Sequence, residues 1–109
     1  MKRMGLCIGL KPDAADRYRE LHLAVWPGVL VAITAAHIHN YSIFLKEPEN
    51  LLFACWEYHG EDFQADMAAM KLLPAMQRWW EICEPLQQPF DTRAPDEWWA
   101  NMQQVFFHA

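Results

Sequence analysis

The sequence predicts an α+β protein with a ferredoxin-like antiparallel sheet and helices on one face. Two observations support this fold class. The strand and helix patterns follow the order β-α-β-β-α-β with one additional helix, and several strand segments are apolar on both faces. Since the helices cover only one face, we expect a second copy of the chain to cover the other in a two-fold dimer.

The first half of the chain combines one strand with a helical region. Residues 4–10 alternate between large apolar residues and Gly or Cys, a pattern typical of a strand with one small face. A Pro-Asp pair indicates a helix start, with Asp13 as its N-cap. Apolar residues then recur at helical spacing, and Pro27 predicts an interruption after Trp26.

Two further strands are expected over residues 37–45 and 51–58, joined into a hairpin by a polar turn at 46–50. Strict alternation along the first of them places four side chains on one face, namely His37, His39, Tyr41 and Ile43. Two neighbouring histidines could serve a metal ion, but no matching carboxylate or Cys spacing accompanies them, so we expect no metal.

The second half predicts a helix from Phe63 and another from Pro74, and the latter carries apolar residues at the helical spacing i, i+3, i+4, i+7, namely Met76, Trp79, Trp80 and Cys83. Residues 84–98 are interpreted as a loop because they contain three prolines. Residues 103–108 are predicted to close the chain as a short strand.

Composition narrows the function classes. The 109 residues are expected to form a single domain, residues 1–109, and they are 53% hydrophobic with six Trp. A core of this size cannot bury so many large side chains, which predicts a pocket or a partner surface. The net charge of −5 and scattered basic residues argue against nucleic-acid binding. The absence of a long apolar run, a signal peptide and a CxxC motif predicts a cytoplasmic protein without membrane contact.

Tyr18 and His22 are the first candidates for chemistry. Their i, i+4 spacing places them on one helical face, and Trp26 continues the same line. Histidine is suited to proton transfer near neutral pH, and a Tyr hydroxyl beside it can bind a substrate hydroxyl. The alternative is that His22 is an ordinary packed histidine at the edge of an apolar stripe.

Trp79 and Trp80 are adjacent on a predicted helix and therefore point about 100° apart. At most one can sit squarely in the core, and the other is free to line a cavity. Because indole rings stack on the apolar faces of pyranose rings, a carbohydrate ligand is attractive, although both residues could simply pack. The sequence has no glycine-rich phosphate loop and no GxSxG motif, and Ser42 is the only Ser.

These motifs together resemble the L-rhamnose mutarotase family. The resemblance lies in Tyr18-x-x-x-His22-x-x-x-Trp26-Pro27, the hairpin segments 39–43 and 50–54, the Gln-Arg-Trp-Trp run at 77–80, and residues 105–106. It implies a cytoplasmic homodimer of the dimeric αβ-barrel type that interconverts the α and β anomers of a 6-deoxyhexose without a cofactor. It further implies a proton-donor role for His22 and sugar binding by Tyr18, Tyr41, Trp79 and Trp80. We expect His22 to donate its proton to the ring oxygen, so that ring opening and closure are acid-catalysed.

One segment departs from the rhamnose-specific pattern. Residues 84–102, EPLQQPFDTRAPDEWWANM, look more like a branch associated with L-fucose utilisation. The resemblance of the whole chain favours L-rhamnose, but this segment leaves L-fucose open as the alternative sugar. Trp98 and Trp99 in this segment have no assigned role. A different class also stays open: a non-catalytic or haem-type binding protein of the same fold, with His22, His37 or His39 offered as an axial ligand.

Overall fold

The computed structural model describes all 109 residues and has the predicted order of helices and main strands. The segment 84–98, interpreted as a loop, additionally contains a 3-10 turn and a two-residue strand that pairs with the first strand. The elements are β1 (Lys2–Leu10), α1 (Ala15–Leu23), α2 (Pro27–Ala35), β2 (Ile38–Lys46), β3 (Leu51–Tyr58), α3 (Phe63–Lys71), α4 (Pro74–Cys83), a 3-10 turn (Glu84–Leu86), β4 (Gln87–Gln88) and β5 (Ala100–Met102). The sheet order is β2-β3-β1-β4, β5 also pairs with β1, and every pairing is antiparallel. This topology confirms the ferredoxin-like prediction.

The main core lies between the sheet and the helices. Ile8 of β1 and Leu52 of β3 are almost completely buried and cluster with Val29 of α2 and with Trp79 of α4. Alternation along each strand makes this arrangement possible, because every second side chain points at the helices. None of the helices combines the length and the apolar character needed to cross a membrane.

The helical region breaks where the sequence predicts it. Helix α1 ends at Leu23 and α2 begins with Pro27, whose missing N–H costs nothing in a first turn. The predicted N-cap at Asp13 is wrong, because α1 begins at Ala15 and Ala14 occupies the cap position. Asp13 instead adopts a left-handed backbone with φ of 66°, a conformation that Asp tolerates better than most residues.

Strand β2 contains a bulge that corrects the predicted face. His39 pairs with Glu57 and Ser42 pairs with Cys55, so two residues of β2 lie opposite a single residue of β3. Asn40 in this bulge has a φ of 52°, and the alternation changes phase there. His39 is therefore not on the face that carries Tyr41 and Ile43, and its ring lies edge-on to that of His59 at 5.0 Å.

The end of the chain also departs from the prediction. The last strand is Ala100–Met102, and residues 103–109 form no strand. The strand predicted over residues 103–108 contains the apolar run Val105, Phe106 and Phe107, but these side chains pack against no buried surface and stay 88%, 81% and 48% exposed. Phe107 instead lies beneath the guanidinium of Arg3, 3.6 Å from the ring centroid.

Candidate active site

A cavity of about 500 Å³ lies between the sheet and the helices, and all five predicted site residues line it. Helix α1 contributes Tyr18 and His22, β2 contributes Tyr41, and α4 contributes Trp79 and Trp80. The fold thus brings residues as far apart in the sequence as Tyr18 and Trp80 to the wall of one cavity. The i, i+4 spacing had predicted only that Tyr18 and His22 lie on the same face of their helix. The volume is in the range of small-molecule sites.

His22 is held by three contacts in this cavity. Its Nδ1 lies 2.8 Å from the carbonyl oxygen of Tyr18, one turn earlier in α1. Its ring stacks on the Tyr18 ring with centroids 4.2 Å apart and meets the Trp79 ring edge-on at 5.2 Å. Since a carbonyl oxygen only accepts hydrogen bonds, Nδ1 carries the proton and Nε2 remains available.

Burial lowers the pKa of His22 below its ordinary value of 6.5, although the hydrogen bond to the Tyr18 carbonyl opposes the shift. The imidazole is therefore neutral at pH 7, with an unprotonated Nε2. Such a nitrogen can accept a proton from a hydroxyl group and later return it. The side chain is only half-buried, so a ligand in the cavity can reach it.

Both tyrosines keep their protons at neutral pH. Burial raises the pKa of Tyr18 far above its ordinary value of 10. Desolvation raises the pKa of Tyr41 to about 12, although 40% of this residue's surface stays exposed. The Tyr41 ring lies 6.2 Å from that of Trp56, nearly parallel to it. The cavity therefore offers two phenolic O–H groups set among aromatic surfaces.

Trp79 and Trp80 differ in burial, as expected for adjacent residues that point about 100° apart on a helix. Trp79 is 6% exposed and packs in the core against Trp26, with ring centroids 5.2 Å apart. Trp80 is only half-buried on the next face of α4. Both border the cavity, so one indole supports His22 from the core and the other presents a more open aromatic wall.

Sequence reasoning gave no role to several lining residues, Gln87 above all. Gln87 is 4% exposed and connects Tyr18 with Trp98 through hydrogen bonds. Glu97 also lines the cavity, and the amide of Asn101 holds the pKa of its carboxyl below the usual range. The only available signal was the unusual composition of residues 84–102, which marked the segment without indicating where it folds.

The fold and the cavity together define a ferredoxin-like α+β protein of the αβ-barrel type. The model of the family described as L-rhamnose mutarotase matches residues 3–108. The chain belongs to this family, whose members are isomerases, which confirms the resemblance and the enzyme class predicted from the sequence.

Relatives of known name agree with this assignment. An L-rhamnose mutarotase from Oceanobacillus iheyensis is 32% identical over 95 residues, 87% of this chain and 88% of that protein. The one from Escherichia fergusonii is 29% identical over 107 residues, 98% of each. A crystal structure of an L-rhamnose mutarotase from Formosa agariphila superposes over the whole of both chains with a TM-score of 0.77 at 22% identity, which supports the fold.

Proposed function

We propose that the chain, as a single mutarotase domain over residues 1–109, interconverts the α and β anomers of a 6-deoxyhexose, with L-rhamnose as the preferred sugar. The observation that carries the proposal is the placement of His22 on the wall of an aromatic cavity, with Nδ1 engaged by the Tyr18 carbonyl and Nε2 available. Family membership indicates the reaction and the sugar class.

Mutarotation needs two proton transfers in each direction. In ring opening, the anomeric hydroxyl loses its proton, the ring oxygen gains one, and the bond between C1 and the ring oxygen breaks to leave an aldehyde. Rotation about the C1–C2 bond exposes the other carbonyl face. Closure then protonates the carbonyl oxygen and deprotonates the hydroxyl that attacks C1. No electrons are exchanged, so the reaction requires no redox cofactor.

In this proposal His22 handles the proton of the anomeric oxygen. Neutral Nε2 takes that proton as the ring opens, and the resulting imidazolium donates it back as the ring closes, which makes His22 a general base and then a general acid. A second proton carrier, a water or another side chain, supplies the proton that the ring oxygen gains at opening and takes it back from the attacking hydroxyl at closure. The sequence-based prediction of His22 as a donor to the ring oxygen stays a prediction. It needs imidazolium as the resting form, and therefore has the opposite dependence on pH.

The remaining site residues bind the sugar. Tyr18 and Tyr41 stay protonated at neutral pH and can donate hydrogen bonds to sugar oxygens. Trp79 and Trp80 offer indole surface to the apolar C–H groups of the ring and methyl group. Aromatic walls with a few convergent polar groups are typical of small-molecule sites.

We further propose a cytoplasmic homodimer formed through the sheet face that the helices leave bare. Four apolar side chains on that face are at least 36% exposed, namely Phe44, Phe53, Met102 and Phe107. Phe44 and Phe53 are direct cross-strand partners. Apolar area of this kind on one surface is typical of an interface.

Anomer exchange measured by saturation-transfer NMR tests the function. The purified chain is expected to accelerate exchange between the two anomers of L-rhamnose, and to accelerate that of L-fucose less. A larger effect on L-fucose would reassign the sugar. If either sugar quenches Trp fluorescence while neither exchanges faster, the chain is a binding protein and the mutarotase proposal is wrong.

A further inference from the structure

We propose that Gln87 and Trp98 are positioning residues that fix the direction in which the Tyr18 hydroxyl donates its proton, leaving it free for a sugar oxygen in the cavity. This inference rests on the mutarotase function proposed above. It gives a role to the segment 84–102, which departs from the rhamnose-specific pattern.

The three side chains form a hydrogen-bonded row. The indole Nε1 of Trp98 donates to Oε1 of Gln87 at 2.7 Å, and Nε2 of Gln87 donates to the Tyr18 hydroxyl oxygen at 3.3 Å. Gln87 is 4% exposed and is the one amide or charged side chain among the buried residues. No buried side-chain polar atom of the chain lacks a hydrogen-bond partner.

The direction of this row follows from chemistry at its outer end. An indole N–H can only donate, so it selects the oxygen of the Gln87 amide and leaves the NH₂ group to face Tyr18. The Tyr18 oxygen then serves as an acceptor, and its own O–H is not used by Gln87. Tyr18 borders the cavity beside His22, where a sugar hydroxyl or ring oxygen can accept that proton.

The fold fixes Gln87 in the middle of the row and Trp98 at its outer end. Gln87 belongs to β4 and pairs with Leu10 of β1, and the close approach depends on Gly9, where an added Cβ would lie 2.8 Å from the Gln88 carbonyl oxygen. At the outer end, Arg93 closes the loop before Trp98. Its Nε donates to the Glu97 carbonyl at 2.8 Å, and its guanidinium lies 5.8 Å from the Trp98 ring centroid.

Two substitutions at Gln87 distinguish a role in directing the Tyr18 hydroxyl proton from a role in packing alone. In Gln87→Glu the ionised carboxylate accepts from both Trp98 and Tyr18, so the Tyr18 proton turns away from the sugar. We expect kcat/KM for L-rhamnose to fall about 10- to 100-fold, the loss of one directed hydrogen bond. In Gln87→Met the Tyr18 hydroxyl is free to rotate, and we expect a smaller loss. Gln88→Glu, in the same short strand but exposed, is the matched control.

The dependence on pH provides a readout that packing alone does not move. A protonated Glu at position 87 can accept from Trp98 and donate to Tyr18, which restores the native direction, so the rate of this variant relative to wild type is expected to recover as pH falls. The ratio for Gln87→Met should not change with pH. Ratios are compared because other titratable groups line the same cavity, including His22, Tyr41, Cys83, Glu84, Asp96 and Glu97.

A double-mutant cycle with Tyr18→Phe completes the test. If Gln87 acts through the Tyr18 hydroxyl, adding Gln87→Glu to Tyr18→Phe costs little further rate. Fully multiplicative losses, or an unchanged ratio of Gln87→Glu to wild type across pH, would overturn the positioning role while the wild type remains an active mutarotase. A wild type that accelerates neither sugar instead overturns the proposed function. Circular dichroism confirms that each variant is folded.

Discussion

At the residue scale, the candidate site depends on what surrounds His22. Its place on one helical face with Tyr18 could be predicted from the i, i+4 spacing. Its protonation state could not, because the Nδ1 bond to the Tyr18 carbonyl and the burial against Trp79 depend on tertiary packing. The role of Gln87 could not be predicted either, because its hydrogen-bond partners are Tyr18 of α1 and Trp98 of a segment that the sequence indicated only as a loop.

The lowered pKa of His22 predicts the shape of the pH–rate profile. Because the free enzyme needs neutral Nε2, kcat/KM should be constant near neutral pH and fall as the pH drops through the His22 pKa, with a midpoint below 6.5. Measuring anomer exchange across this range checks the prediction. A rate that instead rises toward acid pH would contradict the base role and support direct donation to the ring oxygen.

At the element scale, periodicity and proline predicted most boundaries. The break between α1 and α2 at Pro27 and the start of α4 at Pro74 both occur where the missing N–H is harmless. The phase change in β2 was not predictable, because the bulge at Asn40 is set by pairing with β3 rather than by composition. The final strand was misplaced because the apolar run at residues 105–107 lies beyond the three residues that pair with β1.

Helix α3 has a side-chain cap that offers a direct test. Asp62 accepts a hydrogen bond from the backbone N–H of Ala65 at 3.1 Å, whereas Asp13 caps nothing. Asp62→Ala should lower the free energy of unfolding by about 1 kcal/mol. Urea titration followed by circular dichroism measures this change.

The matched control is Glu61→Ala, at the exposed neighbouring position outside α3. We expect its free energy of unfolding to stay within about 0.5 kcal/mol of wild type. Equal destabilisation by the two substitutions would show that the Asp62 cap contributes nothing specific.

At the scale of the whole molecule, the excess of apolar residues divides between two surfaces. One set surrounds the cavity, and the other lies on the bare face of the sheet. The helix-on-one-face topology and the two-sided apolar strands made this division predictable. The choice between L-rhamnose and L-fucose could not be predicted, because it depends on how residues 84–102 fold over the cavity and on which sugar hydroxyls they contact.

The bare face predicts how the chain assembles. Phe53→Asp places a charge on this face beside Phe44, and burying an unpaired charge in an interface is costly. We expect wild type to sediment at twice 12.8 kDa and this variant at 12.8 kDa. Leu72→Asp, at an exposed position at the end of α3, should leave the mass of wild type unchanged. A wild-type chain that sediments as a monomer at micromolar concentration would contradict the dimer.

The most direct measurement compares anomer exchange of L-rhamnose in the presence of wild type and of His22→Ala, by saturation-transfer NMR at equal protein concentration. Loss of a positioned acid–base group should slow catalysis about 100- to 10,000-fold while the fold is retained. His39→Ala, on the opposite face of β2 from Tyr41, is the control and should exchange at the wild-type rate. Near-wild-type exchange by folded His22→Ala would contradict the central role of His22 in the cavity.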